Sequence, residues 1–166
     1  MSKICSSLLV FCLLVTVFPS VADEFALLNS EKIGDFSMGL SEKDLEKKIN
    51  CPLKRGKEEL WGADGIYHQT WDYPACGLRF DMNSAQKGGI KSVDSITVTA
   101  PSKLKTKRGI QIGSTEKAVI KAYGHDKNAE DSVSKETFVA GSLYGGLIFN
   151  FKNNRVTEIF LGASAE

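Results

Sequence analysis

Apolar and polar residues alternate in four segments of the chain, two in each half. "CGLRFDM" at 76–82 has the same alternation as "GGLIFNF" at 145–151. "SVDSITV" at 92–98 similarly matches "RVTEIFL" at 155–161. A period of two residues is typical of a strand with one buried face. The four segments are therefore predicted to be strands of an antiparallel sheet.

Each half also contains one segment with helical spacing. "MGLSEKDLEKKI" begins at Met38, and "IGSTEKAVIKAY" begins 74 positions later at Ile112. Both read apolar-Gly-x-Ser/Thr-Glu-Lys-x-apolar, which places Ser41 and Thr115 where a side chain can cap a helix N-terminus. Asp44 is the acidic partner of a capping box in the first copy. Two short helices are therefore predicted.

One further strand is predicted between the helix and the alternating strands of each half. It is "IYHQTWDY" at 66–73 in the first half and "SVSKETFVAG" at 132–141 in the second. Gly124 is predicted to end the second helix in the left-handed conformation, with Asn50 in the equivalent place in the first. The order is helix, strand, strand, strand, twice.

Three matches in the same order indicate an internal duplication. Units of about 70 residues bury little core alone, which favours packing into one body. The predicted class is α+β, with two tandem helix-plus-antiparallel-meander repeats forming one sheet that has its helices on one face. The repeats are assigned to 23–102 and 103–166, and the helix-free face is left for solvent or a partner.

The first 22 residues have the pattern of a cleaved signal peptide. Lys3 precedes the apolar run "ICSSLLVFCLLVTVF", and small residues follow at Ser20 and Ala22. A membrane anchor is the alternative, but the run has 15 residues, whereas a spanning helix needs about 20. We therefore predict cleavage after Ala22, no stable membrane insertion, and a periplasmic or secreted mature chain.

Charge argues against a nucleic-acid partner. The mature chain carries 20 basic and 20 acidic residues, without the basic excess that is usual in nucleic-acid binding proteins. The basic cluster "PSKLKTKRG" holds Lys103, Lys105, Lys107 and Arg108. We interpret it as the solvated charge of a linker rather than a polyanion site.

Two cysteines, Cys51 and Cys76, remain after signal cleavage. A pair in an exported chain most often forms a disulfide. A Cys/His metal site is the alternative, but His68 and His125 lack metal-ligand spacing. We therefore predict a disulfide and no metal.

The helix entrance followed by a "GGLIFNF"-like strand resembles the repeat of the β-lactamase inhibitor protein family and of the SmpA/OmlA type of outer-membrane assembly lipoproteins. The tandem arrangement is closer to the inhibitor, as is a cysteine pair linking a helix end to a strand. The resemblance implies a two-repeat, protein-binding fold. The inhibitor has a disulfide in each repeat and the lipoproteins an acylated cysteine, whereas the second half here has no cysteine. The positions that carry the resemblance are Gly39, Ser41, Leu45, Cys51, Cys76, Gly113, Thr115 and Val119.

No catalytic set is predicted. A nucleophile needs a base within hydrogen-bond reach, and we interpret His125 as a surface residue and His68 as packed or partner-facing. The nucleophile-elbow motif Gly-x-Ser-x-Gly is absent. Asp72 and Asp81 flank one predicted turn, where solvated residues are the ordinary interpretation and a carboxylate pair stays open. The predicted protein is not an enzyme and has no cofactor.

Aromatic side chains concentrate between residues 61 and 73. Exposed Tyr and Trp anchor many protein interfaces, but Tyr67, Trp71 and Tyr73 alternate along one strand and fit the core as well. If the side chains of these aromatics face the core, His68 and every second residue from it along the strand face outward. The candidate partner-binding residues cover both possibilities: Trp61, Tyr67, His68, Trp71, Tyr73, Arg79, Asp81, Ile148 and Asn150.

Export, duplication and the lack of a catalytic set predict a non-enzymatic protein-binding protein of inhibitor or immunity type. Its target would be a hydrolase or a toxin, bound by the helix-free sheet face. The alternative is an envelope or outer-membrane assembly accessory protein. An unrecognised hydrolase would require a pocket with convergent polar groups and shifted pKa values.

Overall fold

The computed structural model describes residues 26–164 as one antiparallel sheet of nine strands with three short α-helices. This arrangement agrees with the predicted α+β class. The helices are α1 (Ala26–Ser30), α2 (Glu42–Lys48) and α3 (Glu116–Tyr123). The strands are β1 (Lys54–Arg55), β2 (Glu59–Leu60), β3 (Tyr67–Tyr73), β4 (Leu78–Ser84), β5 (Ser92–Thr99), β6 (Lys127–Val133), β7 (Thr137–Ser142), β8 (Gly145–Lys152) and β9 (Arg155–Gly162). The predicted signal peptide lies outside the described residues.

The strand order across the sheet is β1-β3-β4-β5-β9-β8-β7-β6, with β2 also paired to β3. Every pairing is antiparallel. The last strands of the two halves, β5 and β9, meet in the middle, where Ile96 lies opposite Leu161. The short strands β1 and β2 form one edge, and β6 forms the other.

One face of the sheet forms the core. A single row of the ladder runs from Trp71 through Phe80, Ile96 and Leu161 to Leu147, and all five side chains are buried. The neighbouring rows on this face are similarly apolar and add Tyr73, Leu78, Met82, Val98, Phe149 and Ile159. The alternation of apolar and polar residues along these strands therefore identifies their buried face correctly.

Both predicted helix entrances are confirmed. The hydroxyl oxygens of Ser41 and Thr115 each accept the N–H of the residue three positions later, at 3.2 Å. Leu45 of α2 and Val119 of α3 are fully buried in the same core cluster. The prediction for Gly124 was wrong: this residue has a φ of −60°, because a 3-10 turn continues from α3.

Three strands were not predicted from the sequence. The edge strand β6 has the sequence "KNAEDSV", in which most residues are exposed. Its sequence therefore shows no apolar face. The segment 132–141, predicted as one strand, is divided by a turn that contains Lys135 at a φ of 68°. The strands β1 and β2 have two residues each, too few for a period to be visible.

The predicted disulfide is confirmed. Cys51 and Cys76 are bonded with their Cα atoms 6.2 Å apart, and this bond ties the segment after α2 to the turn between β3 and β4. In that turn, Gly77 has a φ of 63°, and a Cβ there would lie 2.3 Å from the carbonyl oxygen of Thr99. No helix within residues 26–164 is long and apolar enough to cross a membrane.

All four basic residues of the segment before α3 are exposed, and two of them also make specific contacts. Lys107 donates from Nζ to the carbonyl oxygen of Ser30 at 3.1 Å. Arg108 donates to the carbonyl oxygen of Ala122 at 3.0 Å, near the end of α3, and its guanidinium lies 4.6 Å from the ring centre of Tyr123. These contacts hold the segment that connects the two halves of the chain against α1 and α3.

Candidate functional site

The second face of the sheet lies opposite the core, and we call it the open face. The buried side chains of all three described helices belong to the core cluster, so these helices pack on the other side. Polar and apolar groups share the open face, most of them half-buried and Arg79 exposed. In ladder register, it carries Thr70, Asp72, Arg79, Asp81, Thr97, Ile148, Asn150 and Phe160.

A cleft of about 500 Å³ lies on the open face, where β3, β4, β5 and the end of β9 come together. Its lining contains three carboxylates and no lysine or arginine. The residues that line it are Trp61, Ala63, Asp64, His68, Asp81, Asp94, Ser95, Phe160, Ala163 and Ser164.

One wall of the cleft is the loop 61–66 between β2 and β3. The loop is closed by two backbone hydrogen bonds between Trp61 and residues 65 and 66, at 2.9 and 3.0 Å. Asp64 Oδ1 accepts the N–H of Ile66 at 3.0 Å, the arrangement of an Asx turn. Gly65 supplies the positive φ of 72° that this tight turn needs. Trp61 and Asp64 are thereby held above β3.

His68 lies beneath this loop and is only 5% exposed. The Trp61 ring stacks on the imidazole with a centroid distance of 3.8 Å and an interplanar angle of 13°. Imidazole Nε2 lies 2.7 Å from Asp64 Oδ2. The other nitrogen, Nδ1, is buried without a hydrogen-bond partner among the described residues and faces Asp94 Oδ2 at 3.8 Å.

The contact to Asp64 determines the tautomer of a neutral His68. The N–H of Ile66 and then the His68 contact hold the pKa of Asp64 below its ordinary value, so this carboxylate is ionised at neutral pH. Nε2 must then carry the proton and donate it. In such a neutral ring, Nδ1 is the acceptor nitrogen, and it faces a second carboxylate.

The other two carboxylates, Asp81 and Asp94, differ in the number of hydrogen bonds that they accept. Asp81 accepts the hydroxyls of Thr70 and Ser95, each at 2.8 Å. Asp94 accepts only the amide of Asn83, at 2.9 Å, among the described residues. Burial raises the pKa of Asp94, and the charges of Asp81 and Asp64 raise it further, against the opposing effect of His68.

Small residues at the end of β9 form part of the cleft wall. A Cβ at Gly162 would lie 2.7 Å from the Cβ of Ser95 and 2.9 Å from the ring of Phe160. The absence of a side chain at this position therefore gives the Phe160 ring its space on the open face. The wall continues into Ala163 and Ser164, and Ser164 donates its N–H to the carbonyl oxygen of Leu143 at 2.7 Å.

The predicted site residues fall into three groups. Trp61, His68 and Asp81 line the cleft. Arg79, Ile148 and Asn150 lie elsewhere on the open face, in register with the cleft-forming strands.

The third group consists of the remaining aromatics. Trp71 and Tyr73 are 2% exposed and belong to the core, and Tyr67 is half-buried on the same side of β3. Two positions were considered for these aromatics, the core and a binding face. The structure places them on the core side of the sheet, so they do not line the cleft.

Sequence reasoning missed Asp64, Asp94 and Phe160. Asp64 lies in an irregular loop, whose spacing from His68 has no recognised meaning. Asp94 is the extra residue at a shift in register between β4 and β5, so simple alternation does not show that it converges on His68.

The cleft has convergent polar groups and shifted pKa values, as an enzyme site would. However, a nucleophile–base pair needs a hydroxyl or thiol within hydrogen-bond reach of the histidine. The free nitrogen of His68 instead faces Asp94, and the nearby Ser95 donates its hydroxyl to Asp81. Within residues 26–164 no three His, Cys, Asp or Glu side chains are grouped to bind a metal ion.

Comparison of this chain with protein-family models, curated proteins and solved structures gives no match.

Proposed function

We propose that this protein is an exported, non-enzymatic binding protein of inhibitor or immunity type, whose target docks on the open face. The target would be a hydrolase or a toxin. The observation that carries the proposal is a broad sheet face on which no described helix packs and which contains an acidic cleft. Arg79, Ile148 and Phe160 add a cation and apolar groups to this face, the mixture that is usual at protein interfaces.

The pattern of contacts supports an internal duplication as the origin of this shape. In both halves the glycine at the helix entrance donates its N–H to the last strand of that half at 2.8 Å, from Gly39 to Val93 and from Gly113 to Val156. The strand order also runs outward from the central β5 and β9 in the same sequence on each side. We therefore propose that 23–102 and 103–166 are two copies of one unit.

The disulfide supports export. Disulfides persist in oxidising compartments and are rare in the cytosol. Together with the predicted signal peptide, the bond between Cys51 and Cys76 favours a periplasmic or secreted protein.

The test is affinity capture with purified residues 23–166 from a periplasmic extract. Thr97 lies half-buried at the centre of the open face, between Arg79 and Phe160. We expect Thr97→Arg to reduce capture of a stoichiometric protein partner by at least about tenfold, because a long charged side chain would block close contact. Asn50→Arg is the matched control, since Asn50 is exposed beyond α2 on the helix side.

Three outcomes are informative. The proposal is supported if Thr97→Arg loses capture while Asn50→Arg retains it and the thermal unfolding of both variants is unchanged. The wild-type protein must also inactivate the protein that it captures. Recovery of no stoichiometric partner, or equal recovery by both variants, contradicts it. Capture of outer-membrane assembly machinery, through either face, would instead favour the accessory-protein alternative.

A further inference from the structure

We propose that the cleft on the open face binds an arginine side chain presented by the partner protein. This inference rests on the proposed function, because it takes the cation to be part of the docked target. It goes further by assigning a chemical group to one place on the face. Four features of the cleft carry it: its three carboxylates, a buried ring nitrogen without a hydrogen-bond partner among the described residues, the exposure of Asp94, and aromatic walls.

The charge of the cleft is unbalanced. Asp64, Asp81 and Asp94 all line it, and none of its lining residues is a lysine or an arginine. These three carboxylates lie around a space of about 500 Å³. Such a site attracts a cation, and its partly desolvated walls strengthen the attraction relative to water.

The cleft also contains a buried ring nitrogen next to a carboxylate. Nδ1 of His68 is buried without a hydrogen-bond partner in the part of the chain that the structure describes, and it faces Asp94 Oδ2 across 3.8 Å. A buried polar atom left without a partner is costly, and a ligand that brings hydrogen-bonding groups to this place can relieve part of that cost. Asp94 retains 42% of its side-chain exposure, so a donor from outside can reach its carboxylate.

The shape of the cleft favours arginine over lysine. A guanidinium is planar and offers five donors, so it can satisfy several carboxylate oxygens at once and stack on an aromatic ring. Phe160 and Trp61 supply aromatic rings at the cleft, and Asp81 and Asp94 lie on the neighbouring strands β4 and β5. An ammonium would fill less of this space.

The experiment uses Nα-acetyl-arginine amide as the probe and does not require the natural partner. The chain contains two tryptophans, which give two indole N–H signals in a nitrogen-proton NMR spectrum. Trp61 is at the cleft. Trp71 lies in the core with its indole N–H donated to Gln69 at 2.8 Å, and therefore serves as an internal control.

We expect the arginine probe to shift the Trp61 signal saturably and to leave the Trp71 signal unchanged. Nα-acetyl-citrulline amide, a neutral isostere, should bind at least about tenfold more weakly, since the charge-assisted hydrogen bonds are lost. Nα-acetyl-lysine amide should also bind more weakly than arginine. Asp94→Asn should weaken arginine binding about tenfold, whereas Asp35→Asn, the same substitution at an exposed position outside the cleft, should not.

Several results would overturn the inference: no saturable Trp61 shift, equal binding of citrulline, equal or tighter binding of lysine, or equal effects of the two Asp→Asn substitutions. The comparison of probes on the wild-type protein requires no variant to fold. A failure here leaves the capture experiment unaffected. Conversely, arginine binding without any captured partner would retain the site and remove the proposed function.

Discussion

We expect the buried contact between Tyr123 and Glu31 to contribute strongly to holding the N-terminal segment against α3. The Tyr123 hydroxyl donates to Glu31 Oε2 at 2.8 Å, and Glu31 is only 3% exposed although it carries a carboxylate. Its other oxygen accepts the N–H of Lys107 at 2.9 Å. Tyr123→Phe removes one hydroxyl group from this network and leaves the aromatic ring in place.

The magnitude follows from the contacts that remain. The phenyl ring can keep its packing on Phe149, at a centroid distance of 5.3 Å, so the hydrophobic contribution hardly changes. A hydrogen bond to a charged group contributes about 1.5–3 kcal/mol, and water cannot easily replace the lost donor at a buried carboxylate. We expect the free energy of unfolding to fall by about 1.5–3 kcal/mol.

Urea unfolding at neutral pH, followed by circular dichroism, measures this difference. Burial raises the pKa of Tyr123, so its hydroxyl remains a donor under these conditions. Tyr144→Phe is the matched control: Tyr144 is 60% exposed, and the same deletion there should change stability by less than about 0.5 kcal/mol. A double-mutant cycle with Glu31→Ala, which removes both acceptor oxygens, then isolates the coupling between the two residues.

The reasoning would be refuted if Tyr123→Phe behaved like Tyr144→Phe, or if the cycle with Glu31→Ala gave no coupling. Either result would mean that Glu31 is held by its backbone donors alone, and that the contact to α3 does not fasten the N-terminal segment.

Two further predictions concern the first half of the chain. Replacing Cys51 and Cys76 together by serine opens a loop with a sequence separation of 25 residues. The chain-entropy model then predicts a loss of about 3.5 kcal/mol in the free energy of unfolding, measured by urea titration, and a loss below about 1 kcal/mol would contradict it. The Lys91 ammonium lies 2.7 Å from Glu58 and holds the pKa of this carboxyl below its ordinary value of 4.5. The destabilisation caused by Glu58→Gln should therefore be full above pH 4.5 and shrink as the pH falls through the lowered pKa; a pH-independent difference would count against this ion pair.

The sequence was sufficient for elements whose burial follows a simple period. Alternation identified β4, β5, β8 and β9 because each has one face in the core and one outside it. The helix entrances were visible because an N-cap requires particular side chains. In contrast, β6 is a polar edge strand, and its pairing depends on backbone hydrogen bonds that leave little trace in side-chain chemistry.

The position of the aromatics could not be decided from β3 alone, because both of its faces contain large side chains. Register decides it: Trp71 lies opposite Phe80, which lies opposite Ile96, and that row is apolar across the sheet. His68 instead lies opposite Asn83. Comparing whole rows of a proposed ladder would therefore have placed the aromatics inside, had the register been known.

The cleft was less predictable, since its parts come from a loop and from strands distant in sequence. Asp64 and His68 are four residues apart, but their contact requires the Asx turn that closes the loop 61–66. Asp94 joins them only through the pairing of β4 with β5. A constellation of this kind depends on tertiary structure, and no short motif in the sequence encodes it.

Folding alone does not account for the composition of this cleft. Burial raises the pKa of Asp94, which means that the folded state holds the ionised carboxylate less favourably than water does. Nδ1 of His68 adds the cost of a buried polar atom that has no hydrogen-bond partner among residues 26–164. Strand pairing needs neither group, because its hydrogen bonds come from the backbone. Groups that oppose folding yet converge on one open cleft are typical of a binding site, where a ligand of opposite charge offsets their cost.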